Sequence, residues 1–130
     1  MMNLDTNILI DFLKEINEFD DWVELKLEVE FQPGMLGFKG WAHLKDSTQK
    51  SLRSRPTEEL KTYVKHLHSK VAINSESRWN KLEFILFSDT TFKRIYIWDS
   101  KWQKEIDFEN KKYKEKNPEY QLPRWKWQKL

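Results

Sequence analysis

After Trp22, residues 23–31 alternate between apolar and polar side chains without a break. Val23, Leu25, Leu27, Val29 and Phe31 fall on one side, and Glu24, Lys26, Glu28 and Glu30 on the other. A period of two is the mark of a strand with one face in a core and the other in water. Pro33-Gly34 then supplies a turn, and Leu36, Phe38, Ala42 and Leu44 resume the alternation, with Trp41 and His43 on the opposite face. The pattern predicts an antiparallel hairpin that needs a layer over its apolar side.

Two helices flank that hairpin in the sequence. Ile8, Phe12 and Ile16 recur every four residues beside Leu9 and Leu13, which predicts an amphipathic helix over residues 5–18 capped by Asp5 or Thr6. Residues 46–56 are polar and aperiodic and read as a loop. Thr57 after Pro56 caps a second helix reaching residue 74, with Leu60, Val64, Leu67 and Val71 as its stripe and Glu58 and Glu59 at its positive end. Residues 82–87 and 92–98 are rich in apolar and β-branched side chains around a short connection, Ser88-Asp89-Thr90-Thr91, and predict a second hairpin, central in the sheet. Trp102, Ile106 and Tyr113 lie along one side of a third helix stopped by Asn117-Pro118. The expectation is one α+β domain over residues 1–130: a mostly antiparallel sheet of two hairpins with helices packed mainly on one face. Phe12, Leu25, Leu27, Leu67, Phe84, Leu86 and Ile95 are its expected core.

Composition narrows the chemistry. There is no cysteine among the 130 residues, which removes disulfides, thiolate metal sites and cysteine nucleophiles together and fits a cytoplasmic protein. The three glycines form no phosphate-cradling loop, so nucleotide hydrolysis is not expected. No apolar run approaches spanning length, and the start has neither the basic segment nor the apolar stretch of a signal peptide. His66 and His68 are two apart and point to opposite sides of a helix, while His43 stands alone, so no metal and no cofactor are expected.

Charge points instead to a partner. The first thirty residues hold nine carboxylates against two lysines, a net −7 in a chain whose total is +2. A carboxylate pair for hydrolysis has to face across a cleft, whereas neighbouring acids on one strand face are a solvated or partner-binding surface. Asp20, Asp21, Trp22, Glu24, Glu28 and Glu30 are therefore the candidate partner-binding residues, with Trp22 as an aromatic anchor beside the acids. The tail Arg124-Trp125-Lys126-Trp127-Gln128-Lys129 interleaves bases with aromatics, as single-strand nucleic-acid binders do, and the basic loop 49–55 adds to that alternative reading. An acidic N-terminal third makes a poor polyanion binder, and such a tail more often lays its tryptophans over the core.

The order helix, hairpin, polar loop, helix, then Trp79-Asn80-Lys81-Leu82-Glu83-Phe84-Ile85-Leu86, a turn, and Phe92-Lys93-Arg94-Ile95-Tyr96-Ile97-Trp98-Asp99 resembles the small immunity proteins of bacterial polymorphic toxin and contact-dependent inhibition systems, in particular the YezG-like group. The resemblance implies a cytoplasmic, non-enzymatic antitoxin, monomeric or weakly dimeric, that binds and blocks one cognate toxin domain, often a basic nuclease. Nucleic acid and membrane are not its expected partners. An acidic surface is the physical complement of a nuclease site built for a polyanion.

Overall fold

The computed structural model describes residues 6–53, 55–125, 127 and 128. Helix α1 (Asn7–Ile16) is followed by strands β1 (Trp22–Gln32), β2 (Met35–Leu44) and β3 (Gln49–Leu52), helix α2 (Glu58–Val71), strands β4 (Lys81–Phe87) and β5 (Phe92–Ile97), and helix α3 (Ser100–Lys116). The strands form one antiparallel sheet in the order β3-β2-β1-β4-β5. The class is α+β.

The centre is β1, not the second hairpin. Each of its inward residues meets an apolar partner on both sides: Leu25 lies between Ala42 and Leu86, Leu27 between Gly40 and Phe84, Val29 between Phe38 and Leu82. Helices α1 and α2 cover this face with Leu9, Phe12, Leu13, Leu60, Tyr63, Val64 and Leu67. Six of the seven expected core residues are buried. Ile95 is not: it is 40% exposed, because β5 is an edge strand and Ile95 pairs with Glu83 on the outward face. An apolar run without alternation cannot say which of its residues turn inward, and here Phe92, Arg94 and Tyr96 do.

Local chemistry moves three boundaries. Helix α1 stops at Ile16, short of the expected residue 18, because Asn17 is extended and its side chain bonds both the N–H and the carbonyl of Phe19, at 3.1 and 3.0 Å. Thr6 is its cap residue without a side-chain cap bond, and Asp5 lies outside the described residues. Helix α2 starts as expected, with Thr57 Oγ1 accepting from the Leu60 N–H at 3.1 Å, but ends at Val71. The third change is β3, a strand inside the segment expected to be loop. It pairs with β2 from His43↔Gln49 to Gly40↔Leu52 and buries Leu52. Gly40 makes room for it, since a Cβ there would lie 3.3 Å from Leu52 Cβ and 3.4 Å from Ile16 Cδ1.

Two turns share one device. Asp46 Oδ1 accepts from the N–H and hydroxyl of Thr48 at 3.0 and 2.6 Å, and Asp89 Oδ1 does the same with Thr91 at 2.9 and 2.6 Å. The residue between, Ser47 or Thr90, takes a left-handed φ of 71° or 74°. This Asp-x-Thr bracket lets the β4–β5 turn close without a glycine.

At the other end of the sheet, α3 is tied on by amides. Gln32 and Gln103 exchange two hydrogen bonds, at 2.6 and 3.2 Å. The fully buried Asn80 donates to the Asp99 carbonyl at 3.0 Å and accepts from the Asp99 N–H at 2.7 Å. Gln103 is the one buried residue of α3. The tail then folds back, with Tyr120 edge-on to Tyr113 and its carbonyl accepting from Lys114 Nζ at 2.7 Å.

Candidate protein-binding face

The face of the sheet opposite α1 and α2 carries the even-numbered side chains of β1, and the register places their neighbours. Across it run three rows: His43, Glu24 and Phe87; Trp41, Lys26, Ile85 and Lys93; Lys39, Glu28, Glu83 and Ile95. Apolar groups therefore sit among charges, with Trp41 and Ile85 half-buried and Ile95 exposed. That is the layout of a protein-binding surface, in which a few large side chains supply area and a charged surround supplies register.

The acids of β1 are largely paired. Glu24 lies 3.4 Å from His43, and Glu30 lies 3.7 Å from Lys39 and 3.9 Å from Lys81. Lys26 reaches Glu83 at 3.4 Å, and its ammonium stands 5.8 Å from the centre of the Trp41 ring. Read along one strand the face looked single-signed; across the strands, Glu24, Glu28, Glu30 and Glu83 interleave with Lys26, Lys39, Lys81 and Lys93. The exception is Glu28. It has no ion pair among the described residues, and its neighbour on β4 is another carboxylate, Glu83. Like charges directly opposite on a sheet repel, and a cation between them relieves the repulsion.

The unbalanced acids lie elsewhere. Asp11, Glu15, Glu18, Asp20 and Asp21 are exposed on α1 and the following loop. Trp22 belongs with neither set. The register shifts between Trp22 and Glu24, so Trp22 pairs with Leu44 and leans on the core while Val23 is 42% exposed. This bulge reverses the expected sides of both residues at the start of β1. The sequence-derived set thus splits three ways: Asp20 and Asp21 on a loop, Trp22 against the core, and Glu24, Glu28 and Glu30 on the open face. Trp41, Glu83, Ile85 and Ile95 join the face only through pairing of β1 with β2 and β4. The Trp41–His43 alternation signalled part of this, but nothing in β1 named β4 as its neighbour.

Lys81 and Asp99 close the lower end of the face at 2.9 Å. Asp99 is held below the usual carboxylate range, first by the Trp102 backbone N–H at 2.9 Å and then by Lys81. Lys81 is raised, chiefly by its bond to Asp99, against some desolvation. Both groups are thereby kept ionised across the neutral range, and they fix the first turn of α3.

The other sequence candidates have structural settings. His68 is buried, its ring stacked on Phe31 at 3.9 Å and 3°, with Nε2 3.0 Å from the Trp79 carbonyl oxygen. His43 Nε2 is 2.9 Å from Gln49 Oε1, and His66 is exposed. Among the described residues no three His, Asp or Glu side chains come together as a metal site. In the tail, Trp125 is 5% exposed, stacked on Trp127 at 4.9 Å and 8°, and lies 5.9, 5.3 and 5.6 Å from Phe31, His68 and Trp98. These rings are spent on one another, and Lys126 lies outside the described residues. No helix among the described residues is long and apolar enough to cross a membrane. A scan against protein-family models finds no match, and no curated protein matches the sequence.

Proposed function

We propose that this chain is a non-enzymatic binding domain that neutralises a basic protein partner, in the manner of the cytoplasmic immunity proteins of bacterial polymorphic toxin systems that its sequence resembles. The observation that carries the reading is Glu28. A carboxylate with no ion pair among the described residues, opposed by Glu83 on β4 and bordered by Ile85, Ile95 and Trp41, with Lys39 across on β2 and Lys81 acting on it only through its field, is a receptor for a further lysine or arginine set among apolar contacts. A nuclease toxin presents such cations where it binds phosphates. The exposed acids of α1 and the following loop add long-range attraction, which quickens encounter more than it tightens the complex.

The two charge sets have separable effects. Glu28→Lys, placed in the docked centre, is expected to raise the dissociation rate and cost roughly 2–5 kcal/mol of binding. Reversal of Glu18, Asp20 and Asp21 is expected to lower the association rate at low salt and leave dissociation unchanged. The test uses the protein encoded immediately upstream of this chain as the trial toxin, with kinetics by surface plasmon resonance at two ionic strengths and survival of cells expressing each variant. Full protection and unchanged kinetics with Glu28→Lys overturn the proposed face. Salt-dependent affinity for an oligonucleotide, without any for the toxin, overturns the toxin-neutralising function in favour of nucleic-acid binding.

A further inference from the structure

Where the β1–β2 hairpin end meets α2, a cavity of about 320 Å³ opens between Phe31, Met35 and Leu36 on the sheet side and Lys61 and Lys65 on the helix side. We propose that this cavity binds a small carboxylic acid with an apolar body, the body on Phe31 and Leu36 and the carboxylate between the two ammonium groups. The site does not depend on the partner-binding face, and failure of either leaves the other standing.

Three features support it. The floor is preformed, because the Phe31 ring is held by the stacked His68 ring, itself bonded to the Trp79 carbonyl oxygen. The mouth is open, since a Cβ built on Gly34 would meet nothing within 4 Å, and Gly34 occupies the turn with a φ of +82°. The remaining polarity of the lining is cationic. The Gln32 amide is already committed to Gln103, whereas Lys65 has no ion pair among the described residues and Lys61 has only Glu58, at 3.3 Å, whose side chain is 90% exposed. Two lysines at i and i+4 on one helix face repel each other by about 0.2–0.5 kcal/mol in an isolated helix. A single anion between them removes that repulsion and gains charge-assisted hydrogen bonds. A volume of this size matches small-molecule sites, where an apolar lining provides contact and a few polar groups fix orientation. A fully apolar ligand would leave the lysines unused, and a bare anion would leave Phe31 and Leu36 uncovered.

The test is a two-dimensional NMR titration of the whole chain with phenylacetate and, separately, with its neutral isostere phenylacetamide. Phenylacetate is expected to shift Phe31, Met35 and Leu36 saturably with a dissociation constant in roughly the millimolar range, and the amide to bind about tenfold more weakly. The double variant Lys61→Ala, Lys65→Ala should bring phenylacetate down to the level of the amide and leave the amide unchanged. Its spectrum in the absence of ligand verifies the fold. Equal affinity for the two compounds, unchanged affinity in the double variant, shifts centred on Trp41 or Trp98, or no saturable shift at all would each overturn the assignment.

Discussion

Between the sheet and helices α1 and α2, buried side chains are mostly aliphatic, and each lies at the position its strand or helix period assigns: Leu9 and Leu13, Leu25, Leu27 and Val29, Val64 and Leu67. At the hairpin end of the sheet the clustered groups are rings brought from five separate places in the chain: half-buried Phe31 from β1, buried His68 from α2, buried Trp79 ahead of β4, half-buried Trp98 after β5, and buried Trp125 in the tail. The first cluster is the product of regular secondary structure, and the second is the product of chain segments that leave it. The aliphatic layer holds the domain together. The ring cluster, which joins the aliphatic layer through Trp79, and the amide network beside it tie α3 and the tail to the sheet, since α3 itself buries only Gln103.

If that division is right, substitutions in the two clusters differ in reach as well as in size. Leu27→Ala, at a fully buried position on the central strand, is expected to cost about 3–5 kcal/mol and to lower protection from hydrogen exchange throughout the sheet. Trp125→Ala should cost less, about 1–3 kcal/mol, with lost protection confined to α3 and the tail. A global loss from Trp125→Ala, measured by urea unfolding and exchange together, would break the comparison. Asn80→Ala sharpens it, because it removes the bonds to the Asp99 carbonyl and N–H and is expected to cost about 1–3 kcal/mol, with α3 exchanging first.

The smallest expected effect concerns pH and belongs to neither cluster. Asp46 and Asp89 are held below the ordinary carboxylate value of 3.8, mainly by the hydroxyls of Thr48 and Thr91 and then by their N–H groups, and Asp99 by the Trp102 N–H and Lys81. A carboxylate depressed in the folded state adds stability that is fully present above its unfolded value and is lost as pH falls through the folded one. Urea midpoints should therefore decline as the solution is acidified below about pH 4. Asp46→Asn with Asp89→Asn should flatten that decline slightly and leave the neutral-pH spectrum of α3 unchanged. Asp99→Asn should flatten it and also loosen the first turn of α3.

The aliphatic layer was legible in the sequence because periodicity is a local signal. Both flanking helices, the first hairpin and the Thr57 cap follow from residues within a turn or two of each other. The bulge at Trp22 was not legible, since nothing in Trp22-Val23-Glu24 says that two residues there oppose one on β2. Ile95 was misplaced because its run has no alternation, and β3 because Gln49-Lys50-Ser51 is polar on an edge, with Leu52 as its single inward anchor. Within the candidate face, Glu24, Glu28 and Glu30 were readable as outward, but the contacts of Glu24 with His43 and of Glu30 with Lys39 and Lys81 depend on strand order. The opposition of Glu28 to Glu83 is likewise a property of the β1–β4 pairing.

That pairing also bears on how the chain survives its own synthesis. β1 is complete at Gln32, and β2 can join it at once, but β4 begins only at Lys81, after the whole of β3 and α2. Until then the second edge of the central strand lies unpaired, a template for any other extended chain in a crowded ribosome-exit zone. Glu24, Lys26, Glu28 and Glu30 place a charge at every second residue along that edge. A stray strand laid against it has to bury or oppose those charges, whereas β4 arrives with Lys81 for Glu30 and Glu83 for Lys26. The charges of β1 thus discriminate among strands, and β4 answers two of the four, Lys26 and Glu30.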